Sequence, residues 1–148
     1  MKLLLAGLGL FAMIGAAAAQ ADLARIVTER REGLRAVGQH MEALQAIARS
    51  GGDPRPAVER IEAVQRFFVN FGQRFPAGTQ QGAPGIETRA LPAIWTDRAG
   101  FDRAEAALAP RLAALREAAA GGNAQAFGQA LQAAGAACGD CHRPYRAR

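Results

Sequence analysis

Apolar residues recur at alternating steps of three and four along most of this chain, the spacing of one face of an α-helix. Leu23, Val27, Arg30, Leu34, Val37, Met41, Leu44 and Ala48 form one such seam. It predicts a helix from about Asp22 to Arg49, ended by Ser50-Gly51-Gly52 because glycine tolerates the left-handed cap conformation. Asp53-Pro54-Arg55-Pro56 opens a second helix with the stripe Val58, Ile61, Val64, Phe68, Phe71 and Phe75, and Pro76-Ala77-Gly78 closes it. A third helix is predicted from near Asp97 to about Ala120 on Phe101, Ala104, Leu108, Leu112 and Leu115, with Pro110 kinking it. The fourth starts after Asn123 as N-cap and carries Phe127, Leu131, Ala134, Cys138, Cys141 and Tyr145. Residues 79–95, rich in Gly, Pro, Gln and Thr, form a long connection of the kind that crosses a bundle or carries function. No alternating β-branched run is present. The expected fold is all-α, an antiparallel four-helix bundle.

The first residues do not belong to that bundle. Met1-Lys2 is followed by a nearly wholly apolar stretch, Leu3 to Ala19, that ends in a run of Ala. Ala17-Ala18-Ala19 and Ala19-Gln20-Ala21 both fit a small-x-small cleavage pattern. Residues 1–21 therefore read as a secretory signal peptide, cut after Ala19 or Ala21, and 22–148 as one mature domain. The apolar stretch is short for a membrane anchor. Removing it takes away Lys2, the only Lys, and the formal net charge falls from +5 to +4. The remaining Arg are scattered among Asp and Glu, with no dense basic run interleaved with aromatics, which argues against nucleic acid as a partner.

Two cysteines stand three positions apart in the predicted last helix, and His142 follows the second directly. A disulfide across two helical residues would be strained and would close a loop too short to be useful. A zinc site would lack a fourth ligand, since only His40 remains, and a redox dithiol wants a strand–helix setting that is missing here. Cys138 and Cys141 share a helix face, so two thioether bonds to one porphyrin are possible, with the His142 imidazole as iron ligand. Cys-x-x-Cys-His is the c-type haem attachment signature.

Arg30 interrupts an apolar seam. It either meets an anion, for which a haem propionate would serve, or snorkels to the bundle edge. Arg146 lies one helical turn after His142, beside the proximal imidazole or in a basic tail with Arg143 and Arg148. A sixth strong ligand would make an electron carrier, and an apolar distal wall would leave the iron open to small gases. Met41 and His40 are the candidate ligands; Leu34, Phe68 and Phe71 are the candidate wall.

Cys138-Gly139-Asp140-Cys141-His142 with Tyr145-Arg146 near the C-terminal end resembles cytochrome c′, the class II c-type cytochromes. So do Thr88-Arg89-Ala90 with Pro92 and Ile94-Trp95, followed by Phe101, and Arg30 with Leu34 and His40 in the first helix. The resemblance spans the mature chain. It implies one haem c bound covalently by Cys138 and Cys141 on the C-terminal helix, with His142 proximal, Arg146 beside it, Arg30 near a propionate and Leu34 distal. Leu cannot ligate iron, so the resemblance implies five-coordinate, high-spin iron that binds NO and CO or passes single electrons. It further implies a periplasmic homodimer paired through the first two helices, with a redox partner that the sequence does not name. The alternative is a six-coordinate, low-spin electron carrier ligated by Met41 or His40. Met41 lies two turns from Leu34, about 10 Å along the axis, so both can hardly face one iron. Pro144, between His142 and Arg146, departs from the family pattern and is expected to shift Arg146. No acid–base pair marks the chain as an enzyme.

Overall fold

The computed structural model describes residues 4–148, with side chains from Ala19 onward. The Met1-Lys2 start of the expected leader lies outside the described residues. The helices are α1 (Leu4–Ser50), α2 (Val58–Phe68), α3 (Ala93–Thr96), α4 (Arg98–Ala106), α5 (Leu108–Ala120) and α6 (Ala124–Tyr145). α1, α2, the α4–α5 pair and α6 are the four members of an antiparallel bundle, as the seams predict. α1 runs without interruption through both candidate cleavage positions, and Gly51 at φ 65° ends it. Among the described residues, no helix is long and apolar enough to cross a membrane.

Two helices differ from expectation, each for a local reason. α2 stops at Phe68, because Val69 turns extended and Asn70 adopts the left-handed conformation at φ 54°. Asparagine enters that region more readily than other side chains. Phe71 and Phe75 are therefore not on the helix. Phe71 opens the 3₁₀ turn Phe71–Arg74 and Phe75 follows it, so both rings fold against Phe101, at 6.4 and 5.0 Å between centroids. Val69 is left 62% exposed at the bend. The third predicted helix is in fact two. Pro110 has no N–H to give the Ala106 carbonyl, and the helix breaks at Ala107. Pro110 then falls in the first turn of α5, where a missing N–H costs nothing. Asp97 caps α4 by accepting from the Gly100 N–H at 3.0 Å, and Asn123 caps α6 by accepting from Ala126 N–H at 2.9 Å.

The bundle has two cores. At one end Leu44, Ile61, Val64, Leu112, Leu115 and Phe127 are buried between α1, α2, α5 and α6. At the other, Phe71, Phe75, Ile94, Phe101 and Tyr145 form an aromatic cluster under α3 and the long connection. Cys138 packs against the first core and Cys141 against the second. The far end of α6 is clasped by that connection: Ala90 pairs with Arg146, Leu91 N–H donates to the Tyr145 carbonyl at 3.0 Å, and Ala147 N–H donates to the Arg89 carbonyl at 2.8 Å.

Candidate functional site

Between the two cores lies a cavity of about 610 Å³. Its walls are largely apolar and aromatic, from Leu34, Phe68, Phe71, Ile94, Phe101 and Leu108. Cys138, Cys141 and His142 of α6 all line it, so the attachment triplet faces one space as the i, i+3 spacing requires. Both thiols are free and half-buried. Burial pushes the Cys138 thiol up, and pushes Cys141 up to about 11, with Cys138 and Glu105 adding to the effect. The thiols are thus neutral at ordinary pH, which disfavours adventitious thiolate chemistry. His142 is held below the ordinary histidine value, first by partial desolvation of its ring and then by the nearby Arg146 charge. The neutral imidazole that metal ligation needs is the favoured form.

Arg30 does not snorkel. It is 2% exposed, and its guanidinium is held inside a polar nest built by the long connection. Nη1 donates to the Arg74 carbonyl at 3.0 Å and to the Thr79 hydroxyl at 3.2 Å. Nη2 donates to the Thr79 carbonyl at 3.1 Å and the Thr88 hydroxyl at 2.9 Å. The Phe75 ring lies 4.3 Å beneath it. Every one of these partners is neutral, and among the described residues no carboxylate forms an ion pair with Arg30. Burial alone pulls its pKa down to about 10. A buried cation at the cavity wall, hydrogen-bonded yet uncompensated, is a site for an anionic group. With the paired thiols, the axial imidazole and the apolar walls, it makes the cavity chemically suited to a porphyrin with propionates.

Leu34 lines the cavity, as do Phe68 and Phe71. Met41 instead packs against the first core, and neither it nor His40 lines the cavity. Among the described residues, no methionine and no second histidine lines it. Arg146 follows the end of α6 in extended conformation, its N–H still donating to the His142 carbonyl at 3.0 Å. Pro144 therefore sits in the last helical turn without breaking the approach of Arg146 to His142.

Several site residues carried weak signals in the sequence. Thr79 and Thr88 hold Arg30 from an aperiodic connection, where no spacing rule assigns partners. Tyr145 donates its hydroxyl to Asp97 Oδ2 at 2.7 Å while its ring stacks edge-on against Phe101. This contact requires Gly100, since a Cβ there would overlap both Asp97 Oδ2 and the Tyr145 hydroxyl. Glu105 also lines the cavity, and nothing in the sequence set it apart from other helical glutamates.

Comparison with known proteins accords with this geometry. The family profile described as cytochrome c′ matches residues 25–146. The cytochrome c′ of Pararhodospirillum photometricum is 33% identical over 122 residues, covering 81% of this chain and 94% of that protein. A protein named cytochrome c-556 from Agrobacterium tumefaciens is 36% identical over 126 residues, covering 80% and 94%. In three dimensions the chain is similar to a nitric oxide complex of a cytochrome c′ variant from Alcaligenes xylosoxidans, with TM-score 0.72, 23% identity, and coverage of 83% and 94%.

Proposed function

Since this chain belongs to the cytochrome c′ family, whose members carry covalently attached haem c, we propose that it is an exported, five-coordinate haem protein that binds NO, and CO when reduced. Bound haem supplies reversible one-electron chemistry and an open coordination position for a diatomic gas. The residues do the rest. Cys138 and Cys141 tether the ring to α6, and His142 offers the proximal nitrogen. Arg30 meets a propionate, and Arg146 stands beside the imidazole. Leu34 and Phe68 cover the distal side with carbon, excluding ligands that need a polar donor. Residues 1–21 act as the leader that directs export to the periplasm, and two copies pair through α1 and α2.

One observation carries this reading: among the described residues, the cavity holding the attachment triplet is lined by no Met and no second His. The solved nitric oxide complex of a relative of the same fold supports it. The test is an optical spectrum of the purified protein, oxidised, then reduced with dithionite, then exposed to CO. A broad, unsplit visible band after reduction that shifts strongly with CO is the expected result. Sharp, split bands unmoved by CO would overturn the reading and indicate a sixth protein ligand. Sedimentation of the same sample distinguishes a dimer from a monomer.

A further inference from the structure

The cavity wall carries one acidic side chain from α4, and the propionate reading does not use it. Glu105 lines the same cavity as Cys138 and Cys141. Its carboxylate is half-buried beside Phe68 and Leu108. Its one hydrogen bond comes from the backbone: Gly72 N–H donates to Glu105 Oε1 at 3.2 Å. The approach depends on glycine at that position, because a Cβ on Gly72 would come within 2.9 Å of Glu105 Oε2 and 2.7 Å of Arg98 Nη2. Arg98 is close by but committed elsewhere, with Nε on Asp102 Oδ1 at 2.8 Å and Nη2 on the Gly72 carbonyl at 3.2 Å. Among the described residues Glu105 forms no ion pair.

Glu105 thus stands at the cavity wall with one neutral donor as its hydrogen-bond partner. We propose that Glu105 sets the redox poise of the bound haem, as a fixed negative charge at the thioether end of the cavity that favours ferric over ferrous iron. Reduction brings one electron from an external reductant to the iron, with no bond made or broken, and makes the site more negative by one charge. A carboxylate near it, poorly screened by solvent, opposes that change. The inference rests on haem attachment as proposed above, and it holds for five- or six-coordinate iron alike.

The test is a spectroelectrochemical titration of the haem-loaded protein, with dithionite as reductant and ferricyanide as oxidant. Glu105→Gln keeps a side-chain oxygen to accept from Gly72 N–H and removes only the charge. Its midpoint potential should move to more positive values. Asp102→Asn, on the same helix but exposed and paired with Arg98, should move it clearly less. The Glu105→Gln shift should persist at high salt, where an exposed charge would be screened. A Glu105→Gln midpoint no further from wild type than that of Asp102→Asn, or a shift abolished by salt, would overturn the proposal. If Glu105→Gln fails to retain haem, Arg98→Gln takes its place. Removing the cation that shares the Gly72 corner should lower the midpoint, and an unchanged midpoint there overturns the proposal too. The coordination state is read from the spectrum before the titration, so failure of the gas-binding reading is seen separately.

Discussion

Replacing Arg30 by Met asks whether an anion meets the buried guanidinium. With neutral partners alone, burial lowers its pKa from the ordinary arginine value to about 10, which corresponds to a cost of about 3 kcal/mol for keeping it charged at neutral pH. The sign follows from the direction of the shift. The folded value lies below the unfolded one, so the cost is present at every pH below about 10. It is relieved only as the pH rises from there toward the ordinary arginine value. The four hydrogen bonds to Arg74, Thr79 and Thr88 offset part of this cost. With no anion present, Arg30→Met should be close to neutral, because an apolar side chain of similar length relieves the burial of charge. With a propionate against it the same substitution strands a buried carboxylate, and the loss should be about 3–5 kcal/mol. At a urea slope of about 2 kcal/mol per molar, the unfolding midpoint of the haem-loaded protein should fall by roughly 1.5–2.5 M. A midpoint that stays in place or rises would falsify the assignment of Arg30 to an anionic group. Arg30→Lys should recover only part of the loss, since a point charge cannot reach the Thr79 and Thr88 acceptors together.

Other substitutions probe separate parts of the site. Leu34→Ala should speed CO association with the reduced protein by about tenfold if the side chain contributes about 1.4 kcal/mol to the entry barrier; stopped-flow mixing that shows an unchanged rate removes Leu34 as a steric gate. Tyr145→Phe should flatten both flanks of the stability–pH profile. The Tyr145 hydroxyl holds Asp97 below 3.8, so that contribution is present above this pH and lost as pH falls through the lowered value. Asp97 in turn holds Tyr145 above 10, a contribution present below pH 10 and lost as pH rises through the raised value. Thermal melts across pH that superimpose for the two proteins would count against this coupling. Gly72→Ala should cost under about 1 kcal/mol in urea unfolding, because the added methyl meets only the flexible ends of Arg98 and Glu105, which can swing aside; a larger loss would mean that those two side chains are held in place. Pro110→Ala restores a donor for the Ala106 carbonyl and should join α4 to α5, seen as amide-exchange protection at residue 110; absence of protection there would mean that packing, not proline, interrupts the helix.

The periodic positions made the bundle legible, and the failures occur where a single residue outweighs periodicity. The stripe through Phe68, Phe71 and Phe75 continues the helical step, yet Asn70 in the left-handed conformation turns the chain between its members. The burial that the stripe predicts is still achieved, since Phe71 and Phe75 reach the core from a 3₁₀ turn and its exit. Pro110 signalled a kink, and the structure has a one-residue interruption at Ala107, which keeps αR dihedrals and its N–H on the Arg103 carbonyl. At the site, Cys138, Cys141 and His142 were legible because their spacing alone brings them onto one face. Arg30 was legible as an anomaly in its seam. Its partners were not, because the connection that supplies Thr79 and Thr88 obeys no period, and only the folded path brings a distant hydroxyl within 3 Å. Glu105 was illegible for the opposite reason. On a solvated helix a glutamate is ordinary, and only the cavity beside it makes it unusual.

The clasp between Ala90 and Arg146 also bears on the order in which the molecule assembles. The nest around Arg30 depends on Thr88, and Thr88 is held in register by the paired backbone of Arg89, Ala90 and Leu91 with Tyr145, Arg146 and Ala147. Helices α1 and α2 can associate early through contacts close in sequence, but the nest cannot close until the segment after α6 has docked. Such distant pairings form late because loop closure must precede them. The wall of the cavity that receives the anionic edge of a ligand is therefore complete only when α6 and the residues after it are in place. Until then the space stays accessible from that side, so loading and folding are steps of one sequence, with the clasp as its closing event.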